Sequence, residues 1–163
     1  MSPPGRVRQW PHALNCGKPR LMKTSARNQF AGKVAAVRRG AVNDEIELAI
    51  AGNPHIVATV TRESTGSLGL APGREAFALV KASSVILMVD GDTAKLSTRN
   101  RLAGKVARVE PGAVNAEVLV ELPGGGRVAA IVNIESAKKL DLRPGKPVTA
   151  LFKASSVIVG TTD

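Results

Sequence analysis

One unit of sequence occurs twice in this chain, and this duplication limits the possible folds more than any other feature. Residues 25–89 align with residues 97–161 at a constant offset of 72 positions, and 31 of the 65 aligned positions are identical. The block Lys81–Ile86, for example, returns unchanged as Lys153–Ile158. Two copies are too few for a solenoid, so the repeat predicts two similar domains in tandem. Their expected bounds are residues 23–90 and 97–163, with a linker at 91–96 and a leader at 1–22.

Short strands separated by turn residues dominate each copy. Runs rich in Val, Ile and Ala alternate with turn signals built from glycine, proline and asparagine. The elements predicted for the first copy, which the second copy repeats, are strands at Lys33–Arg38, Ile46–Ile50 and Ile56–Val60, a helix at Glu63–Leu70 and a last strand at Val85–Val89. With a further strand after Pro72-Gly73, this pattern predicts an all-β chain of two tandem OB-like five-stranded barrels, each with one short helix. A unit of about 65 residues buries too little surface to be stable alone, so oligomerisation is expected as well.

The composition narrows the class of protein. Aromatic residues make up only 2% of the chain, so its core must be built from Val, Ala, Leu and Ile. No apolar run reaches the ~18 residues of a membrane span, and the N-terminus lacks the apolar stretch of a signal peptide. Cys16 is the single cysteine, which excludes an intrachain disulfide and a multi-cysteine metal site. These observations predict a soluble cytoplasmic protein.

The first 21 residues differ in kind from the rest. They contain four prolines and four basic residues but no acid, and they show no apolar periodicity. We therefore predict a disordered leader that neither the fold nor the assembly needs. Trp10 and Cys16 lie in this leader without neighbours that would complete a site, and Met22 is an alternative start directly before the regular sequence.

Catalytic and cation-binding chemistry finds little support in the residues. His12 lies in the leader, and Arg127 stands in the second copy where the first has His55. The phosphate-binding loop and the dinucleotide-binding motif are both missing from the sequence. The two copies share only two acids, which we interpret as solvated faces rather than catalytic pairs: Glu45 with Glu117, and Glu63 with Glu135. The sequence thus predicts a protein that is not an enzyme and has no cation site or cofactor.

The charge points to an anionic partner. The 23 basic and 13 acidic residues give a formal charge of +10, which suits a nucleic acid, an anionic surface or a small anion. OB-type barrels often bind single-stranded nucleic acid by stacking bases on aromatic side chains in a basic groove. Here Phe30 and Phe77 become Leu102 and Thr149 in the second copy, and basic residues do not interleave with aromatic ones. Nucleic acid is therefore the weaker alternative.

A set of hydrogen-bond donors and cations is duplicated instead. The set comprises Ser25, Arg27, Ser64, Lys81, Ser83 and Ser84, together with the matching residues 72 positions later. A tetrahedral oxyanion such as molybdate, sulfate or phosphate requires hydroxyls, backbone N–H groups and a few cations. A fully deprotonated dianion also favours a site that no carboxylate faces. On the residues alone, solvated surface cations and turn serines remain the alternative.

Three segments, taken together, resemble a known domain. The sequences of Met22–Gln29, Gly40–Glu45 and Lys81–Val85 are similar to those of the molybdate-binding Mop domain, and so are their counterparts in the second copy. This domain occurs in molbindins and at the C-terminus of the molybdate-responsive transcription regulator. The resemblance extends over about residues 23–161. It implies an OB-like barrel in each copy and a homo-oligomer that binds molybdate or tungstate at its subunit interfaces.

The resemblance also implies which residues contact the anion. In the first copy they are Ser25, Arg27, Thr61, Ser64, Lys81, Ala82 and Ser83. In the second copy they are Ser97, Arg99, Asn133, Ser136, Lys153, Ala154 and Ser155. Asn133 keeps a donor where the first copy has Thr61 but changes its reach, and Thr98 replaces Ala26.

Tandem members of this family serve in cytoplasmic molybdenum storage and homeostasis, and this is the function expected. A trimer is the expected oligomer, with the dimer of regulator-type pairs as the alternative. The alternative function is the C-terminal effector region of a molybdate-responsive regulator. The regulator carries a winged-helix DNA-binding region before its Mop pair, and a leader of about 20 residues is too short to fold as one.

Overall fold

β-Strands make up most of the described chain. The computed structural model describes residues 23–52, 54–91 and 94–162, so the predicted leader at residues 1–22 lies outside it. The first copy forms β1 (Asn28–Arg38), β2 (Asn43–Ile50), β3 (His55–Thr61), α1 (Arg62–Ser67), β4 (Glu75–Val80) and β5 (Ile86–Met88). The second copy forms β6 (Asn100–Pro111), β7 (Asn115–Glu121), β8 (Arg127–Asn133), α2 (Ile134–Lys139), β9 (Pro147–Phe152) and β10 (Val157–Gly160). A 3₁₀ turn precedes the last strand of each copy, at Ala82–Ser84 and Ala154–Ser156.

The predicted fold class is confirmed, and the helices are shorter than predicted. The described strands form two five-stranded antiparallel sheets, each of which curls so that its two outer strands approach one another. Helix α1 ends at Ser67 rather than at the predicted Leu70, because Gly69 takes a left-handed backbone with φ of 60°. In the second copy Asp141 takes the same conformation, with φ of 50°, directly after α2 and Leu140.

The two sheets exchange their last strands. The strand order is β10-β4-β1-β2-β3 in the first sheet and β5-β9-β6-β7-β8 in the second. Strand β10 of the second copy pairs with β4, and β5 of the first copy pairs with β9. Each barrel thus contains four consecutive strands of its own copy and a fifth strand from the other copy. The repeated sequence predicted five strands for each barrel but not this exchange.

Small aliphatic side chains fill the barrels, as the composition predicts. Strand β2 alternates strictly, with Asp44, Ile46, Leu48 and Ile50 buried and the residues between them more exposed. The buried residues of the two barrels form one continuous cluster. It consists of Val, Ile, Leu and Ala and also contains Phe30 and Phe152. The exchanged strands contribute Leu87, Val157 and Val159 to this cluster.

Two buried asparagines join the copies at matching positions. Nδ2 of Asn28 donates to the carbonyl of Ala129 at 2.8 Å, and Oδ1 accepts from the Ala129 amide at 2.7 Å. Asn100 makes the same two bonds to Val57, at 2.7 and 2.8 Å. Val57 and Ala129 lie in β3 and β8, the outer strands of their sheets, so each asparagine satisfies backbone groups that no neighbouring strand reaches. These bonds fix the start of β1 and of β6 against the other copy.

The first copy contains a buried aspartate where the second copy has alanine. Asp44 is 1% exposed and accepts a hydrogen bond from the Gly40 amide at 3.1 Å. Burial alone would raise the pKa of this carboxyl, but the Thr65 hydroxyl, the Gly40 amide and the charges of Arg39 and Arg62 together hold it below its usual value. The second copy has alanine at the positions of both Asp44 and Thr65, and there the Gly112 amide donates to the Asn115 carbonyl at 2.7 Å instead.

Asp44→Ala is expected to destabilise the protein by about 0.5–1.5 kcal/mol at neutral pH, because the Gly40 amide loses its acceptor. The double variant Asp44→Ala, Thr65→Ala copies the second repeat at both positions. Since the folded-state pKa of Asp44 is lowered, its contribution is present above the unfolded pKa and disappears as the pH falls through the folded pKa. Urea unfolding at several acidic pH values should therefore show a weaker acid dependence in both variants. An acid dependence equal to that of the wild type would contradict this assignment.

Candidate functional site

A cavity lies between the two copies, where loops of the second meet the first sheet. Its volume is about 230 Å³, smaller than the roughly 300–1,000 Å³ of pockets for drug-sized ligands. We call it site A; its lining residues are Glu45, Val57 and Thr59 from the first copy and Ser97, Thr98, Arg99, Lys153, Ala154 and Ser155 from the second. All five second-copy residues predicted from the first and last segments of the motif therefore meet here. The cavity is of a size for a small ion and carries two cations and several hydroxyls.

Neighbouring buried residues place these side chains. Arg99 precedes Asn100, whose two bonds to Val57 hold the start of β6 against β3. Lys153 opens the 3₁₀ turn at Ala154–Ser156, where the Ser156 amide donates to the Lys153 carbonyl at 3.0 Å. This turn packs against β3 as well. Both segments of the motif are thus carried on backbone that is fixed to the other copy.

The residues at the matching positions define a second candidate site, which we call site B. By the offset of 72 they are Ser25, Arg27, Lys81, Ala82 and Ser83 in the first copy and Glu117, Ala129 and Ile131 in the second. Arg27 reaches Glu117 at 2.6 Å, and the 3₁₀ turn at Ala82–Ser84 packs against β8. The correspondence between the copies therefore extends from the order of their strands to these ion pairs.

Each site contains a carboxylate, which the sequence argument did not expect. Glu45 forms an ion pair with Arg99, and Glu117 forms one with Arg27. A second cation, Arg38, lies 3.7 Å from Glu45. Both glutamates, which we interpreted as solvated faces, are partly exposed and form an ion pair with the site arginine of the other copy. The available signal was that Glu45 and Glu117 are among the few acids that the duplication keeps.

A further acid lies near site A on the same strand. Glu47 is hydrogen-bonded to His55 at 2.5 Å, and this bond lowers the pKa of the Glu47 carboxyl despite the opposing effect of burial. The charges of Arg38 and Arg99 lower the same pKa further. His55 begins β3 and is the partner of this carboxylate.

Four predicted contact residues lie at helix starts instead of lining site A. Oγ1 of Thr61 accepts from the Ser64 amide at 3.1 Å and donates to the Ser64 hydroxyl at 2.8 Å. Asn133 caps α2 in the same way, accepting from the Ser136 amide at 2.7 Å. The change from Thr61 to Asn133 thus preserves an N-cap, since both side chains carry an oxygen of suitable reach. These four residues are intermediate or exposed.

Two further features are absent from residues 23–52, 54–91 and 94–162. No helix in these ranges is long and apolar enough to cross a membrane. Within the same ranges, no group of three or more His, Cys, Asp or Glu side chains is arranged to hold a metal ion.

The sequence matches one domain family twice. The TOBE domain matches residues 24–87 and again residues 96–159. The molybdenum-pterin-binding protein MopA of Rhodobacter capsulatus is 45% identical over 147 residues, which is 90% of this chain and 56% of MopA. The molybdenum transport protein ModE of Azotobacter vinelandii is 46% identical over 138 residues, which is 85% of this chain and 51% of ModE. The chain therefore spans about half the length of these curated relatives.

A solved structure is similar over its whole length. The cytoplasmic molybdate-binding protein ModG, crystallised with molybdate bound, superimposes with a TM-score of 0.85 at 47% sequence identity. The match covers 86% of this chain and 100% of the ModG chain.

Proposed function

This chain belongs to the TOBE-domain family, which each of its two repeats matches, and we propose that it binds molybdate, or the similar tungstate, as an oxyanion. The observation that carries the proposal is the meeting of Ser97, Arg99, Lys153 and Ser155 in one cavity between the copies. The similarity to ModG, a molybdate-binding protein, supports the choice of ligand. No cofactor is required, because the metal enters as the centre of the oxyanion.

In this proposal the two sites bind the anion in the same way. Arg99 and Lys153 in site A, and Arg27 and Lys81 in site B, supply charge-assisted hydrogen bonds. The hydroxyls of Ser97 and Ser155, or of Ser25 and Ser83, donate to further oxygens, and Ala154 and Ala82 offer backbone amides. The helix starts of a neighbouring subunit then supply the remaining proposed contacts, from Thr61, Ser64, Asn133 and Ser136.

The biological role that we propose is molybdenum storage and homeostasis in the cytoplasm, without catalysis. ModG is itself a cytoplasmic molybdate-binding protein, which supports this localisation. The second candidate role is the effector region of a molybdate-responsive regulator, because the chain covers about half of ModE. DNA retention by the full-length natural protein would favour that role.

Self-association is part of the proposal, with a trimer expected and a dimer as the alternative. Four large apolar side chains are strongly exposed at matching positions of the two copies: Val42 at 73%, Val114 at 71%, Ile86 at 63% and Ile158 at 66%. Apolar surface that recurs in both copies is suited to contacts between subunits. Light scattering should give a mass of two or three chains, and a monomer at micromolar concentration would contradict this part of the proposal.

Calorimetric titration tests the ligand. The full chain should release or absorb heat with molybdate and tungstate at micromolar concentrations, while sulfate and phosphate should bind more weakly. Equal binding of all four anions would show that the sites bind anions without selectivity for molybdate and tungstate. Binding of single-stranded DNA or RNA in place of molybdate would support the alternative ligand that the sequence left open.

Replacing Glu45 by Gln is expected to strengthen molybdate binding at site A about fivefold. The substitution removes a carboxylate that repels a dianion and frees Arg99 from a partly exposed ion pair worth at most ~1 kcal/mol. The measurement is the same titration, and Glu75→Gln, an equal charge change at the start of β4, is the control. Weaker binding by Glu45→Gln would show instead that the glutamate holds Arg99 in its binding position.

A further inference from the structure

Sites A and B share the arginine and the lysine of the motif but differ in two hydroxyls, of which Thr59 is the first. Thr59 lines site A, directly opposite Glu45 on the neighbouring strand. The matching residue of site B is Ile131, which lies opposite Glu117 and is 36% exposed. Threonine and isoleucine branch at the same carbon, so Ile131 places a methylene group where Thr59 has a donor. Only site A therefore has this additional hydrogen bond to offer an oxyanion.

The two sites also differ in how firmly their segments are held. Oγ1 of Thr98 donates to the Phe152 carbonyl at 2.7 Å and accepts from the Asn100 amide at 3.3 Å. Thr98 lies between Ser97 and Arg99, and Phe152 directly precedes Lys153, so this bond joins the two segments that carry the site A donors. In site B the matching residue is Ala26, whose amide bonds only locally, to the Thr24 side chain at 3.1 Å. A site that is already ordered loses less entropy when its ligand binds.

The remaining features do not reverse this difference. The arginine–glutamate pair, the buried asparagine, the lysine and the serines occur in both sites. Glu47 adds a carboxylate to the first sheet where the second has Leu119, but it is bonded to His55 and is not one of the residues that line the cavity. The hydroxyl of Thr59 and the bond of Thr98 both favour site A.

We infer that site A binds molybdate at least about tenfold more tightly than site B, with Thr59 as the residue that sets most of the difference. This inference rests on the proposed function and deepens it. One hydrogen bond to a charged group changes affinity by about tenfold to a hundredfold. The protein would then fill site A at low and site B at higher molybdate concentration. Its total occupancy would therefore change over a wider range of molybdate concentration than it would with two equal sites.

Single-site variants separate the two affinities. Lys81→Met weakens site B and leaves site A to be titrated, Lys153→Met does the reverse, and the double variant supplies the background. With molybdate as the probe, the Lys81→Met protein should bind at least about tenfold more tightly than the Lys153→Met protein. Equal affinities would overturn the inference and leave the proposed function intact, whereas a wild-type chain that binds no molybdate would overturn both.

Substitutions at Thr59 and Ile131 test the cause. In the Lys81→Met background, Thr59→Val keeps the shape but removes the hydroxyl and should cost at least about tenfold in affinity, while Thr59→Ser should bind nearly as the parent. In the Lys153→Met background, Ile131→Thr should strengthen site B. Thr59 and Ile131 are both exposed, so thermal melts should show that these variants fold normally. Unchanged binding by Thr59→Val would assign the difference to another residue and contradict the inference.

Discussion

The double variant Lys81→Met, Lys153→Met should lose molybdate binding at both sites while keeping its fold. Methionine preserves most of the apolar stem of lysine, so packing changes little, whereas the charged donor disappears. A charge-assisted hydrogen bond contributes roughly 1.5–3 kcal/mol, so each site should weaken by about one to two orders of magnitude. Isothermal titration with molybdate is the measurement. Each single variant should retain the site whose lysine remains.

The chain offers a matched control for this experiment. Lys33 and Lys105 are exposed at matching positions of β1 and β6, about five residues beyond the buried asparagines and hence ~17 Å along the strand. Lys33→Met, Lys105→Met removes the same two charges and should bind molybdate as the wild type does. An unchanged titration in the Lys81, Lys153 variant would show that the 3₁₀ turns do not hold the anion. Equal losses in both double variants would show that only the net charge matters.

Removing both buried asparagines should cost more stability than any other pair of substitutions considered. Asn100→Ala leaves the amide and carbonyl of Val57 without their partners, and Val57 is only 7% exposed. An unsatisfied buried polar group costs about 1–3 kcal/mol, so each variant should lose about 2–4 kcal/mol and the double variant about twice that. This is a large part of the ~5–15 kcal/mol that stabilises an ordinary domain. Chemical unfolding followed by circular dichroism measures it.

Exposed asparagines in the same repeats provide the comparison. Asn43 and Asn115 begin β2 and β7 and are exposed, so their replacement by alanine should change stability by less than about 0.5 kcal/mol. Asn28→Ala should behave like Asn100→Ala, because Asn28 makes the same two bonds to Ala129. Losses below about 1 kcal/mol for the buried pair would mean that water replaces the side chains.

Much of the fold follows from the sequence, because alternation along β2 and the turn residues between the strands are local signals. The exchange of β5 and β10 does not. Strands β4 and β9 offer the same Ala-Leu pair, at Ala78-Leu79 and at Ala150-Leu151. The last strand of each copy contains the isoleucine of the same Val-Ile pair, Val85-Ile86 or Val157-Ile158. A repeated sequence cannot distinguish its own partner strand from the copy, so only the path of the chain decides which pairing forms.

The candidate site was predictable in part for a similar reason. Ser97, Arg99 and Lys153 were found because a fixed motif carries them, and they do meet in one cavity. Thr59 comes from the other copy and lies outside the motif segments. Glu45 ends the motif segment Gly40–Glu45, but nothing in the sequence shows that it pairs with the arginine of the other copy. The asparagine next to each site arginine was part of the motif, yet its role became visible only in its bonds across the two copies.

The exchanged strands have a consequence for how the protein depends on its own concentration. A single repeat would have to borrow its fifth strand from a separate molecule, and its folding would be a bimolecular reaction that fails on dilution. In this chain the donor strand is tethered by a short connection, so its effective concentration is orders of magnitude above that of the protein in solution. Both barrels can therefore persist when the protein is scarce.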